Sequence, residues 1–204
     1  MTAQQYLFFD TETSGFIKKD LGAHDPKQQW CCQLGAILTD FEGNITAELD
    51  TLIKANGREI PSFLTANVHG ISSAMTMKNG IEEVDALEAF AYLMKKKPKR
   101  VCHNYAFDSA FLEHMFQRQM ENLTDEARSK YFLQLPHFCT MKDKSIKLFC
   151  GLKNKLGRPK VPKLEELYNI LFEKDFPDAH NAMADATATK DCFFELIKRG
   201  VIEP

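Results

Sequence analysis

The chain opens on an unbroken apolar run, Tyr6-Leu7-Phe8-Phe9, that ends at its first charged side chain, Asp10. A run of this kind suits a strand buried on both faces. A second run, Cys32 to Thr39, follows Trp30. The turn residues Glu42-Gly43-Asn44 separate it from Ile45 to Ile53, and the pair reads as a hairpin. Pro61 to Val68 predicts a short helix closed by Gly70, and Ile81 to Lys97 a longer amphipathic helix ending in lysines and Pro98. Arg100 to His103 is a third short strand. Tyr105 to Met120 is helical, with Phe107, Phe111 and Met115 along one ridge. A further helix is expected over Asn122 to Tyr131, a strand over Leu135 to Cys139, and helices over Lys163 to Glu173 and Ala182 to Lys198. Strands come first and helices then alternate with later strands, which predicts an α/β sheet domain. No repeat or linker interrupts the pattern, so the expectation is one domain over residues 1–204.

Charge changes this picture only locally. The net charge is −2, so no global field draws the chain towards a polyanion. Between Lys142 and Lys163, however, eight Lys or Arg face one acid, Asp143. Gly157, Pro159 and Pro162 make the second half of that segment a loop. The six cysteines include no C-x-x-C pair, which gives no zinc-finger spacing. With no signal peptide and no long apolar run, the expectation is a soluble cytoplasmic protein with buried thiols and no membrane partner.

The candidate chemistry lies in Asp10, Glu12, Asp108, His180 and Asp185. Side chains two apart on a strand share a face, so Asp10 and Glu12 stand together at the end of the first strand. Two adjacent carboxylates repel and are either solvated or neutralised by a cation. Hard oxygen ligands suit Mg²⁺ or Mn²⁺. Asp-Thr-Glu-Thr-Ser-Gly is also good turn chemistry, and these residues alone leave both readings open. Asp108 falls in the first turn of its helix, where an acid is favourable on dipole grounds alone. It also directly follows a strand, at the edge where α/β proteins place sites. His180 and Asp185 would diverge by roughly 140° on one helix. They share a site only if His180 precedes the helix, and Pro177 and Asp178 predict a loop there.

Taken together these residues resemble the DnaQ-like exonucleases, in the branch with four acids and a histidine (DEDDh). Phe9-Asp10-Thr11-Glu12-Thr13-Ser14-Gly15-Phe16 is similar to the family's first motif, His103-Asn104-Tyr105-Ala106-Phe107-Asp108 to its second, and His180-Asn181-Ala182-Met183-Ala184-Asp185 to its third. Val68-His69-Gly70-Ile71 resembles a further segment, and the likeness runs from Leu7 to about Leu196. The resemblance implies an RNase H-like fold, a mixed five-stranded sheet flanked by helices. It implies that Asp10, Glu12 and Asp185 hold two Mg²⁺ or Mn²⁺ ions, that Asp108 completes the site partly through water, and that His180 is the general base. Paired cations can clamp the attacking and leaving oxygens of a phosphodiester, and an imidazole titrates near neutral pH. The implied activity is 3′→5′ removal of nucleoside 5′-monophosphates from a single strand.

The same resemblance implies substrate contacts at Thr13, Gly15, Phe16, Val68, His69, Ile71, Asn104 and Phe107, with Phe16 wedged against the terminal base. Read without it, Phe16 is a buried loop anchor, His69 caps a helix and Phe107 packs in the core. The basic segment is the candidate for backbone contacts, since single-strand binders combine cations with stacking platforms. DNA is expected ahead of RNA. An RNA-trimming enzyme of the same fold, or a dead site that grips strand ends, are the alternatives. The chain stops soon after its last helix, which favours a free-standing enzyme. A homodimer or association in trans with replication or repair proteins completes the partner expectations.

Overall fold

The computed structural model describes residues 4–131, 135–176 and 179–204. Five strands form one mixed sheet: β1 (Tyr6–Thr13), β2 (Cys31–Thr39), β3 (Ile45–Leu52), β4 (Lys99–Cys102) and β5 (His137–Cys139), in the order β3-β2-β1-β4-β5. β1 pairs antiparallel with β2, and β2 with β3. β4 runs parallel to both β1 and β5. The helices are α1 (Ser62–Asn67), α2 (Ser73–Asn79), α3 (Glu83–Leu93), α4 (Tyr105–Gln119), α5 (Asp125–Tyr131), α6 (Lys144–Cys150), α7 (Leu164–Phe172) and α8 (Ala182–Lys198).

Strand parity divides the core. Leu7 and Phe9 of β1 pack with Leu34, Ala36 and Leu38 of β2 against α3, α4 and α5. Tyr6 and Phe8 point the other way, with Ile37 and Val101, onto α7 and α8. Both faces are covered, so β1 and β2 are buried almost throughout and read as continuous apolar runs. β3 is an edge strand and is half-exposed. A third, smaller cluster (Trp30, Cys32, Ala55, Ile60, Ile71) lies beneath α1 and the segment after it.

The elements differ from expectation at their ends and in two helices not expected, α2 and α6. β1 runs on through Asp10 and Glu12 to Thr13, because β2 pairs with it that far. The helix expected over 81–97 stops at Leu93. Beyond it come three lysines with no apolar face, and Lys97 turns left-handed at φ 56°. α2 has no counterpart in the hydrophobic pattern; its signal is the Ser72 cap, whose hydroxyl accepts from the Met75 amide at 3.2 Å. The tight turn at 42–44 holds as read, with the Asp40 carboxylate accepting from the Glu42 and Asn44 amides. The loop expected at Pro177 and Asp178 lies outside the described residues.

One glycine sets the distance between helix and sheet. Gly35 of β2 pairs with Asp10, and the first turn of α8 rests on it. A Cβ built there would stand 2.5 Å from the Ala182 carbonyl carbon and the Met183 nitrogen. Gln33 adds a fixing contact, its Oε1 accepting from the Ala182 amide at 3.2 Å. Gly35→Ala should therefore push α8 off the sheet and destabilise the fold by about 1–3 kcal/mol. Gly22→Ala, where the added Cβ meets nothing within 4 Å, should stay within about 0.5 kcal/mol of wild type. Urea unfolding of the two variants checks this; equal stabilities would refute the close approach.

Candidate active site

β1 carries Asp10 and Glu12 on the parity of Tyr6 and Phe8, towards α8. α8 begins one residue after Asn181, whose side chain accepts from the Met183 and Ala184 amides. Asp185 follows in the first turn. His180 lies just outside the helix with φ 68°, so it escapes the helical spacing that would separate it from Asp185. Ligand atoms of Glu12, His180 and Asp185 all lie within 4.8 Å of one another. The sequence expectation that His180 precedes the helix and meets Asp185 is met.

Asp108 arrives from the opposite side of the sheet. It sits in the first turn of α4 and is buried. Thr11, of opposite parity to Asp10 and Glu12, reaches it with both its amide (3.0 Å) and its hydroxyl (2.8 Å) on Oδ1. The Cys102 thiol donates to Oδ2 at 3.1 Å and also lies 2.9 Å from the Phe9 carbonyl. Both carboxylate oxygens of Asp108 are thus occupied by the protein. This geometry places Asp108 behind the face of β1 that carries Asp10 and Glu12. Cys102 and Thr11 are positioning residues that sequence reasoning passed over. A thiol and a threonine inside strands carry no signal until the pairing of β1 with β4 is known.

The electrostatics are those of crowded, desolvated acids. Burial and then the carboxylates of Asp108, Asp185 and Glu12 push the Asp10 pKa well above the usual range. Burial, followed by Asp185 and Asp108, pushes Glu12 up to about 8. Burial raises Asp108 to about 6 against the pull of its Thr11 and Cys102 hydrogen bonds. It also raises Asp185 to about 6, opposed by neighbouring His180. Asp185 Oδ1 is buried with no hydrogen-bond partner among the described residues. Buried acceptors are normally satisfied. An all-oxygen set of mutually repelling carboxylates with an orphaned oxygen fits a hard divalent cation.

The expected substrate residues separate into two groups. Phe16 is 83% exposed, so it is no buried anchor. Its ring meets Phe107 edge-on at 5.8 Å, and Phe107 in turn leans on Phe111. Thr13 is buried, its hydroxyl donating to the Gly15 carbonyl at 3.1 Å. Asn104 takes a left-handed φ of 71° to start α4 and lines a cavity of about 310 Å³ with His103, Lys163, Glu165, His180 and Asp185. Val68 is part-exposed and ends α1. His69 Nδ1 accepts from the Ile71 amide at 3.0 Å, and its ring faces the Thr13 backbone and His180. Ile71 is 5% exposed and belongs chiefly to the Trp30 cluster, although it edges a second cavity with His69 and Asn181. Glu165 of α7, which no sequence motif singled out, stands 3.8 Å from His180 Nε2.

The family model for exonucleases of the RNase T type matches residues 7–193, and the chain belongs to that family. The fold is the RNase H-like fold of exonuclease I, with the mixed five-stranded sheet that the motifs implied. Escherichia coli exonuclease I in complex with a dT13 oligonucleotide superposes at a TM-score of 0.72 with 20% identity over 96% of this chain and 41% of that one. The zinc-bound E. coli exonuclease I complex with single-stranded DNA gives 0.73, at 19% identity and coverage of 96% and 41%. A moderately thermophilic exonuclease I from Methylocaldum szegediense gives 0.69, at 18% identity and the same coverages. The chain therefore spans about two fifths of the length of these structures. No curated protein sequence matches it. No helix among the described residues is long and apolar enough to cross a membrane.

A carboxyl whose pKa rises on folding holds its proton more tightly in the folded chain. Its contribution to stability is complete below the ordinary carboxylate range and is lost as pH climbs through the folded value. That value is about 6 for Asp185 and Asp108 and about 8 for Glu12. Without divalent cations, Asp185→Asn should match wild type near pH 4 and exceed its unfolding temperature by roughly 2–6 °C near pH 8. Added Mn²⁺ should stabilise wild type more than the variant. Thermal unfolding in chelator across that range checks this, and a variant less stable than wild type at high pH would contradict it.

Proposed function

We propose that the chain is a metal-dependent 3′→5′ exonuclease that shortens single-stranded nucleic acid, DNA ahead of RNA, one nucleoside 5′-monophosphate at a time. The observation that carries this reading is the convergence of Asp10, Glu12, Asp185 and His180 at one sheet edge, with Asp108 fixed behind them. The exposed Phe16, propped on Phe107, supports action at a strand end, because it offers an aromatic face to a terminal base. The named relatives bound to single-stranded DNA support DNA as substrate. Mg²⁺ or Mn²⁺ held by Asp10, Glu12 and Asp185 would supply Lewis-acid stabilisation of charge on the phosphodiester oxygens. His180 takes the proton of the attacking water at an imidazole nitrogen. Glu165 stands 3.8 Å from His180 Nε2, too distant for a hydrogen bond. The phosphorus–O3′ bond breaks, the upstream O3′ gains a proton from solvent, and the shortened strand again ends in a hydroxyl.

Asp10→Asn should abolish cleavage in Mg²⁺ while the protein stays folded. His180→Ala should lower turnover by roughly two to four orders of magnitude with little change in Mn²⁺ affinity. The assay uses end-labelled linear DNA, matched RNA and a circular single strand, with and without chelator. The linear strand should shorten stepwise from its 3′ end, a 3′-phosphate should block it, and the circle should survive. Cutting of the circle would make the enzyme an endonuclease. Faster loss of RNA would reverse the substrate order. Turnover retained by Asp10→Asn would remove the metal assignment.

A further inference from the structure

The basic segment is a built element where the sequence suggested only a loop. After α6, capped by the Asp143 carboxylate on the Ser145 and Ile146 amides, the chain turns back on itself as a short hairpin. Lys153 bridges Pro159 antiparallel, and the Asn154 amide donates to the Arg158 carbonyl at 2.8 Å. Asn154 Oδ1 accepts from both the Leu156 and Arg158 amides, and Gly157 closes the turn at φ 75°. Lys160 donates its amide to the Leu152 carbonyl at 3.0 Å. Lys153, Lys155 and Arg158 are exposed and enter none of the ion pairs among the described residues, whereas Lys160 is tied to Glu166. Leu156, at the tip, is 77% exposed. Asp143, the segment's one acid, is occupied by its cap, so three cations stand on a pinned turn without counter-charge.

The root of this hairpin is a wall of the active site. His103 follows β4, and its Nε2 meets the Pro162 carbonyl at 3.2 Å while its Nδ1 meets the Thr140 hydroxyl at 2.9 Å. Burial pushes the His103 pKa down to about 4, so the ring is neutral and its Nε2–H donates to Pro162. Lys163 and Glu165, immediately beyond, line the cavity with His180 and Asp185. The arm of about five residues is long enough to reach roughly 16 Å from that wall.

We propose that the hairpin 152–160 is a clamp for the single strand upstream of the scissile bond, with Lys153, Lys155 and Arg158 on successive phosphates and Leu156 against a base. This rests on the reading of the site as an exonuclease. The rest of the molecule offers a polyanion no net attraction, since the chain carries −2 overall. Non-specific single-strand sites track the backbone with fixed cations; the three unpaired cations supply that part, and the exposed Leu156 adds apolar contact area beside them. The hairpin therefore governs how tightly long strands are held, and the carboxylates govern cutting.

The test compares wild type with the triple variant Lys153→Ala, Lys155→Ala, Arg158→Ala. Two substrates are used: a long single DNA strand, and the p-nitrophenyl ester of thymidine 5′-monophosphate, which has no upstream strand. The ratio of kcat/KM on the strand to kcat/KM on the ester should fall roughly ten-fold or more, because phosphate neutralisation dominates such affinities. The slope of log KM for the strand against log salt should flatten by about 2, at about 0.7 for each phosphate that the variant leaves unneutralised. Leu156→Ser should lower the ratio and leave the slope in place. An unchanged ratio and slope in the triple variant would overturn the clamp, the cations then being only solvated or serving an acidic protein. Failure of wild type to cleave either substrate would instead overturn the exonuclease reading.

Discussion

The arrangement turns on the repulsion among the carboxylates of Asp10, Glu12, Asp108 and Asp185. Each has its pKa raised, with burial as the leading cause. None of the ion pairs among the described residues includes any of the four acids. A fold that holds such a cluster must supply rigidity from elsewhere. Here it comes from both sheet faces at once, with α8 seated on Gly35 and α4 tied to Thr11 through Asp108. Protons relieve the cluster when no cation is bound, so affinity for the ion and proton uptake in its absence are one property.

The same constraint explains the backbone. His180 and Asn104 both take positive φ, at 68° and 71°, immediately before helices that carry site acids. Conformations of that kind cost of order 1 kcal/mol and persist where the surroundings enforce them. His180 must leave the helix to meet Asp185. Asn104 must turn sharply so that α4 starts within reach of β1. Burial and neighbouring groups then distinguish the acids from one another. Asp108 has donors from Thr11 and Cys102 on both its oxygens, whereas Asp185 keeps one buried oxygen without a partner among the described residues.

Much of this was legible in the chain. The apolar runs marked the two inner strands β1 and β2, whose faces are both covered so that no alternation is needed, and the turn at 42–44 marked β3. The candidate set was legible from three motifs that together resemble one family, since Asp10 and Glu12 alone leave a site and a solvated turn both open. What escaped was set by tertiary pairing. Cys102 and Glu165 reach the site only because β4 lies beside β1 and α7 beside the start of α8. α2 escaped because it buries one residue, Thr76, and so shows no apolar stripe. The basic hairpin read as a loop because Gly157 and Pro159 signal a turn wherever they stand. Its order comes from Asn154, whose side chain caps the turn from within.

Proton release on cation binding tests the central claim most directly. Near pH 7 Glu12, raised to about 8, keeps a proton that an incoming ion must displace, and burial pushes neighbouring Asp10 in the same direction. Mn²⁺ titrated calorimetrically into the protein in buffers of different ionisation enthalpy should report about one proton or more released per chain near pH 7. The number should decline as pH rises past about 9, where Glu12 is already ionised. Binding without proton release near pH 7, or release that persists unchanged in alkali, would contradict a site built on repelling carboxylates.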